Sequence, residues 1–330
     1  MSDELTPQPA EISFLKRYGD KIGLAIAWLA LTGVFWALRP QTFLTPGNVE
    51  NMMRQTIVVS IAAIGMTWII ARGAIDLSVG SIVALTTVIV AKVLGSAPPL
   101  VACAAAIGTG MLCGLINGLL ASRLKVGAFI ITLAGMLAYR GIAKGFASDS
   151  VVNAPETWIQ TLTKALGPQE QWMLIPRGAW IMLVLVLLSA LAMKGTVFGR
   201  RVIAAGSNEN TARLCGIDPD RMTLGVFVLG GALFGIAGLV MFSRLGVGDP
   251  TVASGLELTV IAAVVIGGAS LSGGTGSTWG AFLGALIMQT ISTGCSQLGL
   301  DNWVQDIITG AIIVLAVSFD RWRVRRAATG

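Results

Sequence analysis

Long apolar stretches separated by short polar ones set the rhythm of this chain. A helical span of a bilayer needs about 20 mostly apolar residues. Seven runs meet that pattern clearly: Ile22 to Leu38, Thr56 to Ala71, Ser78 to Leu94, Pro99 to Ala121, Gly178 to Met193, Met222 to Ser243 and Trp303 to Phe319. Three more are short or interrupted: Val126 to Phe146, Glu257 to Ser270 and Thr278 to Gly294. Together they predict ten crossings with both ends on one side; merging two weak segments gives eight and leaves the termini together. The fold class is all-α, a polytopic membrane protein. A tail at 1–21 and another at 321–330 flank a membrane domain at 22–320.

Composition sharpens this picture. The chain has 330 residues, 54% hydrophobic and 12% charged, half the charge of an ordinary soluble domain at about 25%. The 41 glycines suit helices that pack closely through small residues. Under the ten-span reading, 15 of the 23 Lys and Arg residues fall on the side of the termini and the remaining 8 on the other. That bias makes the side of the termini cytoplasmic. It also explains the net charge of +6 without a nucleic-acid partner. Four cysteines and no histidine leave no zinc site and no disulfide framework. The first apolar run lacks a small-residue cleavage site and reads as a retained anchor. No GxxxxGK[ST] loop is present, so no nucleotide site is expected.

The strongly polar run Lys194 to Met222 stands apart from the spans around it. Ser207 can cap a short helix, and Glu209 falls in its first turn, where the helix dipole favours an anion. Ala212, Arg213 and Leu214 continue it, and Gly216 suits a left-handed stop. A helix this short needs the loop's own packing or a partner to hold it. On the other side, Ala147 to Arg177 is the longest loop. Its segment Glu156 to Leu166 reads as a surface helix, with Trp158 and Trp172 as interfacial anchors.

Polar groups inside or between spans are the candidates for a solute pathway. Asp76 and Ser78 lie in ARGAIDLSVGS, Asn117 and Gln289 interrupt apolar runs, and Glu257 opens one. A path lined with amides, hydroxyls and aromatic faces suits a polyhydroxylated, uncharged solute. The same residues also serve plainer purposes: caps, interface markers, and amides bonded to a neighbouring helix. Ile61 to Ser81 resembles Ile261 to Ser277, a weak sign of a repeat. Ten spans as five plus five would place the halves in opposite orientation, a common transporter plan.

Four stretches then carry a family resemblance. They are GAIDLSVGS at Gly73 to Ser81, INGLLASRLKVGAFIITLAGMLAYRGIA at Ile116 to Ala143, FGRRVIAAGSNENTARLCGI at Phe198 to Ile217, and AAVVIGGASLSGGTGSTWGAFLGAL at Ala262 to Leu286. The chain resembles the permease subunits of bacterial ABC importers for ribose and related sugars, which include the autoinducer-2 permeases. Ala74 departs from the glycine expected there. The resemblance implies a sugar importer working by alternating access, with no chemistry of its own. It implies ATP-binding cassette subunits as partners, which bind the ATP, so that the chain itself carries no cofactor. It also implies a periplasmic or extracellular sugar-binding protein and a second permease, identical or related, within membrane lipid. Gly206, Ser207, Asn208, Glu209, Ala212, Arg213, Gly216 and Ile217 would form the coupling helix that docks on the ATPase. An ion-coupled secondary transporter is the alternative, with Asp76 or Glu257 as the coupling carboxylate. An intramembrane enzyme would need a nucleophile turn or metal cluster that the chain lacks.

Overall fold

The computed structural model describes residues 14–329 apart from 125, 166, 168–172 and 174, and the side chains of 14–21 and 319–329 lie outside the description. Trp172 therefore falls outside the described residues. Ten helices cover the ten apolar runs: α1 (Phe14–Leu38), α2 (Pro46–Ala71), α3 (Val79–Leu94), α4 (Pro99–Arg123), α5 (Ala128–Ala147), α6 (Arg177–Gly195), α9 (Pro219–Leu245), α10 (Leu256–Ile266), α11 (Thr278–Gln297) and α12 (Asn302–Thr329). Two short helices, α7 (Val197–Ser207) and α8 (Glu209–Leu214), lie between α6 and α9. Helix α1 takes in residues 14–21 of the first tail, and α12 extends to Thr329 in the second.

Five helices (α2, α4, α5, α6 and α9) are long and apolar enough to cross a membrane unaided. Helices α3 and α10 are not. At 1.5 Å per residue, the 16 residues of α3 reach about 24 Å and the 11 of α10 about 16 Å, against a hydrocarbon core of about 30 Å. Both follow a segment that turns back into the bundle. Their starts meet inside it: a Cβ added to Gly80 would run into Ala253 O and lie 2.6 Å from Glu257 Oε2.

Which segments share an end of the bundle is fixed by contacts. Two-residue strands β1 (Val152–Asn153) and β2 (Val247–Gly248) pair antiparallel, joining the segments after α5 and α9. Thr163 Oγ1 lies 2.9 Å from Ser243 Oγ, and Gln297 Nε2 donates to Asn48 Oδ1 at 3.0 Å. At the opposite end, Gly274 N donates to Ala71 O at 2.9 Å, beside α7 and α8. This grouping is the one that ten crossings require.

Helix α2 forms the axis of the bundle and is buried from Thr56 to Ala71. Helix α4 lies along α9 as α11 lies along α2. Helix α3 packs on α4, α5 and α9, as α10 packs on α11, α12 and α2. Exchanging α2–α5 with α9–α12 thus maps one set of neighbours onto the other, the five-plus-five arrangement. The leading helices break the match, since α1 packs on α11 and α6 on α2.

The likeness between Ile61 to Ser81 and Ile261 to Ser277 has another origin. Gly73 and Gly268 end α2 and α10 with φ of +87° and +89°. In both, the glycine N–H and the next residue's N–H bond back to Ile70 and Ile69, or to Val265 and Val264. The shared sequence encodes a left-handed helix stop, at places that do not correspond under the repeat. On the other side, the described part of Glu156 to Leu166, residues 156–165, holds a 3-10 turn, Trp158–Leu162, in place of the expected surface helix. A reciprocal cap between Thr157 and Gln160 closes it, and Trp158 is half exposed.

Backbone-to-backbone approach between α4 and α9 depends on glycine. A Cβ on Gly231 would strike Gly110 O, whereas one on Gly108 meets nothing within 4 Å. Gly231→Val is expected to lose about 1–3 kcal/mol through overpacking, read as a lower melting temperature in detergent. Gly108→Val on the neighbouring turn of α4 should melt as the wild type does. Equal melting of the two variants would contradict the close packing.

Candidate functional site

Three polar centres lie within this frame. The first is a closed knot at the start of α3. Asp76 Oδ1 accepts Ser78 N–H at 2.8 Å and Ser78 Oγ–H at 2.6 Å. Asn117 Nδ2 donates to Ser78 Oγ at 2.9 Å and approaches Asp76 Oδ2 at 3.4 Å. Tyr139 Oη donates to Asn117 Oδ1 at 2.8 Å. Thr132 Oγ1 reaches Ile75 O at 3.2 Å. All four members of the knot are buried. The structure therefore brings together three of the proposed pathway residues, Asp76, Ser78 and Asn117, as a clamp that fixes the start of a short helix to α4 and α5. The Asp76 side chain sits just before the first turn of α3, where it receives the N–H of the cap residue Ser78. Sequence reasoning missed Tyr139; its signal was that it is one of two tyrosines and lies in a span.

The second centre is a cavity of about 700 Å³ between α2, α9, α10, α11 and α12. Gln289 lines it and donates to Gln55 Oε1 at 2.8 Å. Arg244, Ser254, Thr259, Ser292 and Asp306 add polar atoms among aliphatic side chains. None of the lining residues is aromatic. Glu257 stands behind the wall, where Ala253 and Leu256 line the cavity and its own carboxylate faces Gly80. The sequence pointed to Gln289 but not to Gln55 or Arg244.

The third centre joins α7, α8 and the ends of four longer helices. Phe198 of α7 stacks on Trp68 of α2, with ring centroids 5.6 Å apart. Gly206 closes on Ala71 O and on Gly274 N, where a Cβ would collide. That contact carries α7 through to Ser207, so the cap of α8 is Asn208, whose Oδ1 accepts Thr211 N–H at 2.9 Å. Gly216 has φ +77° and stops the helix as expected, with Ile217 N–H returning to Ala212 O at 3.0 Å. Ala212 is buried, while Leu214 is 89% exposed at the tip.

An ion ladder crosses this centre. Arg72 lies 3.1 Å from Glu209, Glu209 lies 3.1 Å from Arg213, and Arg213 lies 3.5 Å from Asp220. Partial burial of Glu209 pushes its carboxyl upward, but the hydrogen bonds and charges of Arg72 and Arg213 outweigh that and hold it below the usual range. The pairing is therefore complete above the ordinary carboxylate value and is lost as pH falls through the lowered one.

A bundle of this kind, with two short helices meeting inside and a basic loop at one end, is a multi-pass membrane transport subunit. The family described as "Branched-chain amino acid transport system / permease component" matches residues 48–317, and the chain belongs to it. The chain is 38% identical to the ribose import permease protein of Escherichia coli K12 over 296 residues, covering 89% of this chain and 92% of that one. It is 33% identical to the xylose transport system permease protein of the same strain, covering 97% of each. It is 34% identical to the L-arabinose ABC transporter permease protein of Azospirillum brasilense, covering 92% of this chain and 88% of that one. No solved structure matches.

The two intramembrane amides should now behave differently. Asn117→Leu removes the partner of Ser78 and Tyr139 in a buried knot, and an orphaned buried group costs about 1–3 kcal/mol. Its expected outcome is poor accumulation in the membrane. Gln289→Leu leaves only a cavity-facing partner and should accumulate normally while solute uptake falls. Quantifying membrane protein and uptake together checks both, and the reverse pattern would contradict the assignment.

Proposed function

We propose that this chain is the membrane subunit of an ATP-driven importer for a monosaccharide, with five-carbon sugars as the first class to test. The observation that carries this reading is the end-to-end likeness to three permeases named for ribose, xylose and arabinose. The cavity supports it, since amides, hydroxyls and a guanidinium suit several sugar hydroxyls at once. The aromatic faces expected of such a path are missing among the described lining residues, so the polar groups alone carry this support. Selection of the sugar would then rest with a binding protein outside the membrane.

In this scheme the α7–α8 end faces the cytoplasm, in agreement with the Lys and Arg bias. An ATP-binding subunit docks on α8, and a second permease, identical or related, completes the path. The exposed apolar faces of α4, α5 and α6, including Leu112, Leu137 and Leu188, meet lipid. Among the proposed pathway residues, Gln289 has the most direct access to solute. Asp76, Ser78, Asn117 and Glu257 shape the wall from behind. The ion-coupled alternative would need a carboxylate that exchanges protons or ions with solvent, and Asp76 is enclosed by its own hydrogen bonds.

Leu214 supplies the sharpest test of docking. A leucine 89% exposed beside Arg213 is suited to enter an apolar groove on a partner. Leu214→Glu touches nothing inside the bundle, so membrane levels should hold. Recovery of the ATP-binding subunit with the tagged permease should fall at least about tenfold, matching the loss of a central apolar anchor. Wild-type recovery would mean that α8 is not the docking element.

A further inference from the structure

Arg72 is the last residue before the left-handed stop of α2, and its side chain is 11% exposed. Its guanidinium reaches three separate segments. Nη1 approaches Ala205 O at the end of α7 at 3.4 Å. Nη2 donates to Glu209 Oε2, the first residue of α8, at 3.1 Å. Nε and Nη2 approach Pro219 O, the first residue of α9, at 3.4 Å each. A planar, permanently charged fork can serve three such acceptors at once, which a lysine cannot. Only five residues separate Arg72 from Ser78, the cap of α3. Two positions later Gly80 presses on Ala253, and Ala253 lines the cavity.

We propose that Arg72 is the positioning residue through which movement of α8 reaches the cavity, by way of the Gly73 to Ser78 segment. The inference rests on the docking role proposed for α8. If an ATP-binding subunit shifts α8, Glu209 draws on the guanidinium, and the guanidinium is covalently continuous with the turn that sets the position of α3. The knot of Asp76, Ser78 and Asn117 makes that turn stiff, so displacement at Arg72 is passed to Gly80 rather than absorbed. The facing wall at Ala253 then moves with it. A second link works in parallel, because Gly206 bears on Ala71 and on the Gly274 turn that leads into α11.

The test uses the whole complex in proteoliposomes, with the permease carrying Arg72→Gln, Arg72→Lys, Glu209→Gln, or Arg72→Gln and Glu209→Gln together. The expected result for the Arg72 variants is recovery of the ATP-binding subunit within about twofold of wild type. Sugar moved per ATP hydrolysed should fall about tenfold, within the usual range of coupling between sites. Glu209→Gln should lower that ratio by a similar factor, and the double variant should fall no further than the single ones, since both remove one link. Wild-type sugar per ATP in the Arg72 variants would overturn the proposal, as would independent, multiplying losses in the double variant. Loss of the ATP-binding subunit itself from the Arg72 variants would also overturn it, by showing a docking or folding role. Should Arg72→Gln fail to reach the membrane, Glu209→Gln decides alone, because Glu209 is half exposed and outside the bundle. Wild-type permease that recovers no ATP-binding subunit at all would refute the functional reading, a result visible before any variant is compared.

Discussion

Two helices that stop short of crossing impose the main constraint on this molecule. Inside an apolar bundle every free backbone N–H and C=O must find a partner in the protein. Before α3, Asp76 receives the N–H of the cap residue Ser78 and is approached by Asn117, which Tyr139 holds in turn. Helix α10 begins at Gly255, with Glu257 in its first turn and against the first turn of α3. Each broken helix thus helps to support the other. The glycine contacts of α4 with α9 and of α10 with α11 follow, since turning segments fit inside only if their neighbours close up tightly.

Much of this was legible in the residues. The ten apolar runs became ten helices because length and hydropathy act locally, and Gly216 stopped α8 because its φ is set by local chemistry. Other features needed partners distant in the chain. Ser207 and Asn208 are both good caps, and the choice fell to Asn208 only because Gly206 is gripped by Ala71 and prolongs α7. Asn117 and Gln289 look alike in sequence, as lone amides in apolar runs. One joins a buried knot and the other a cavity wall, a difference that exists only after packing. Arg72 read as one more basic residue at a span end, since nothing local reveals that three segments converge on it.

The arrangement also shows how a permease can separate its tasks. One end of the bundle carries a short helix with an exposed apolar tip, held by ion pairs to a carboxyl that Arg72 and Arg213 keep below its usual range. Elsewhere the bundle holds a cavity in which Gln55, Arg244, Gln289, Gln305 and Asp306 alternate with aliphatic side chains. Between them lies the segment from Gly73 to Ser78, tied by hydrogen bonds from Ser78 and Asn117 to Asp76.

The most direct measurement of the central claim is uptake of labelled ribose, xylose and arabinose into proteoliposomes bearing the permease with its co-purified ATP-binding subunit and sugar-binding protein. The account predicts accumulation of at least one of the three that requires ATP on the side of the ATP-binding subunit and persists when ion gradients are collapsed. Uptake that proceeds without ATP and follows an imposed ion gradient would contradict it.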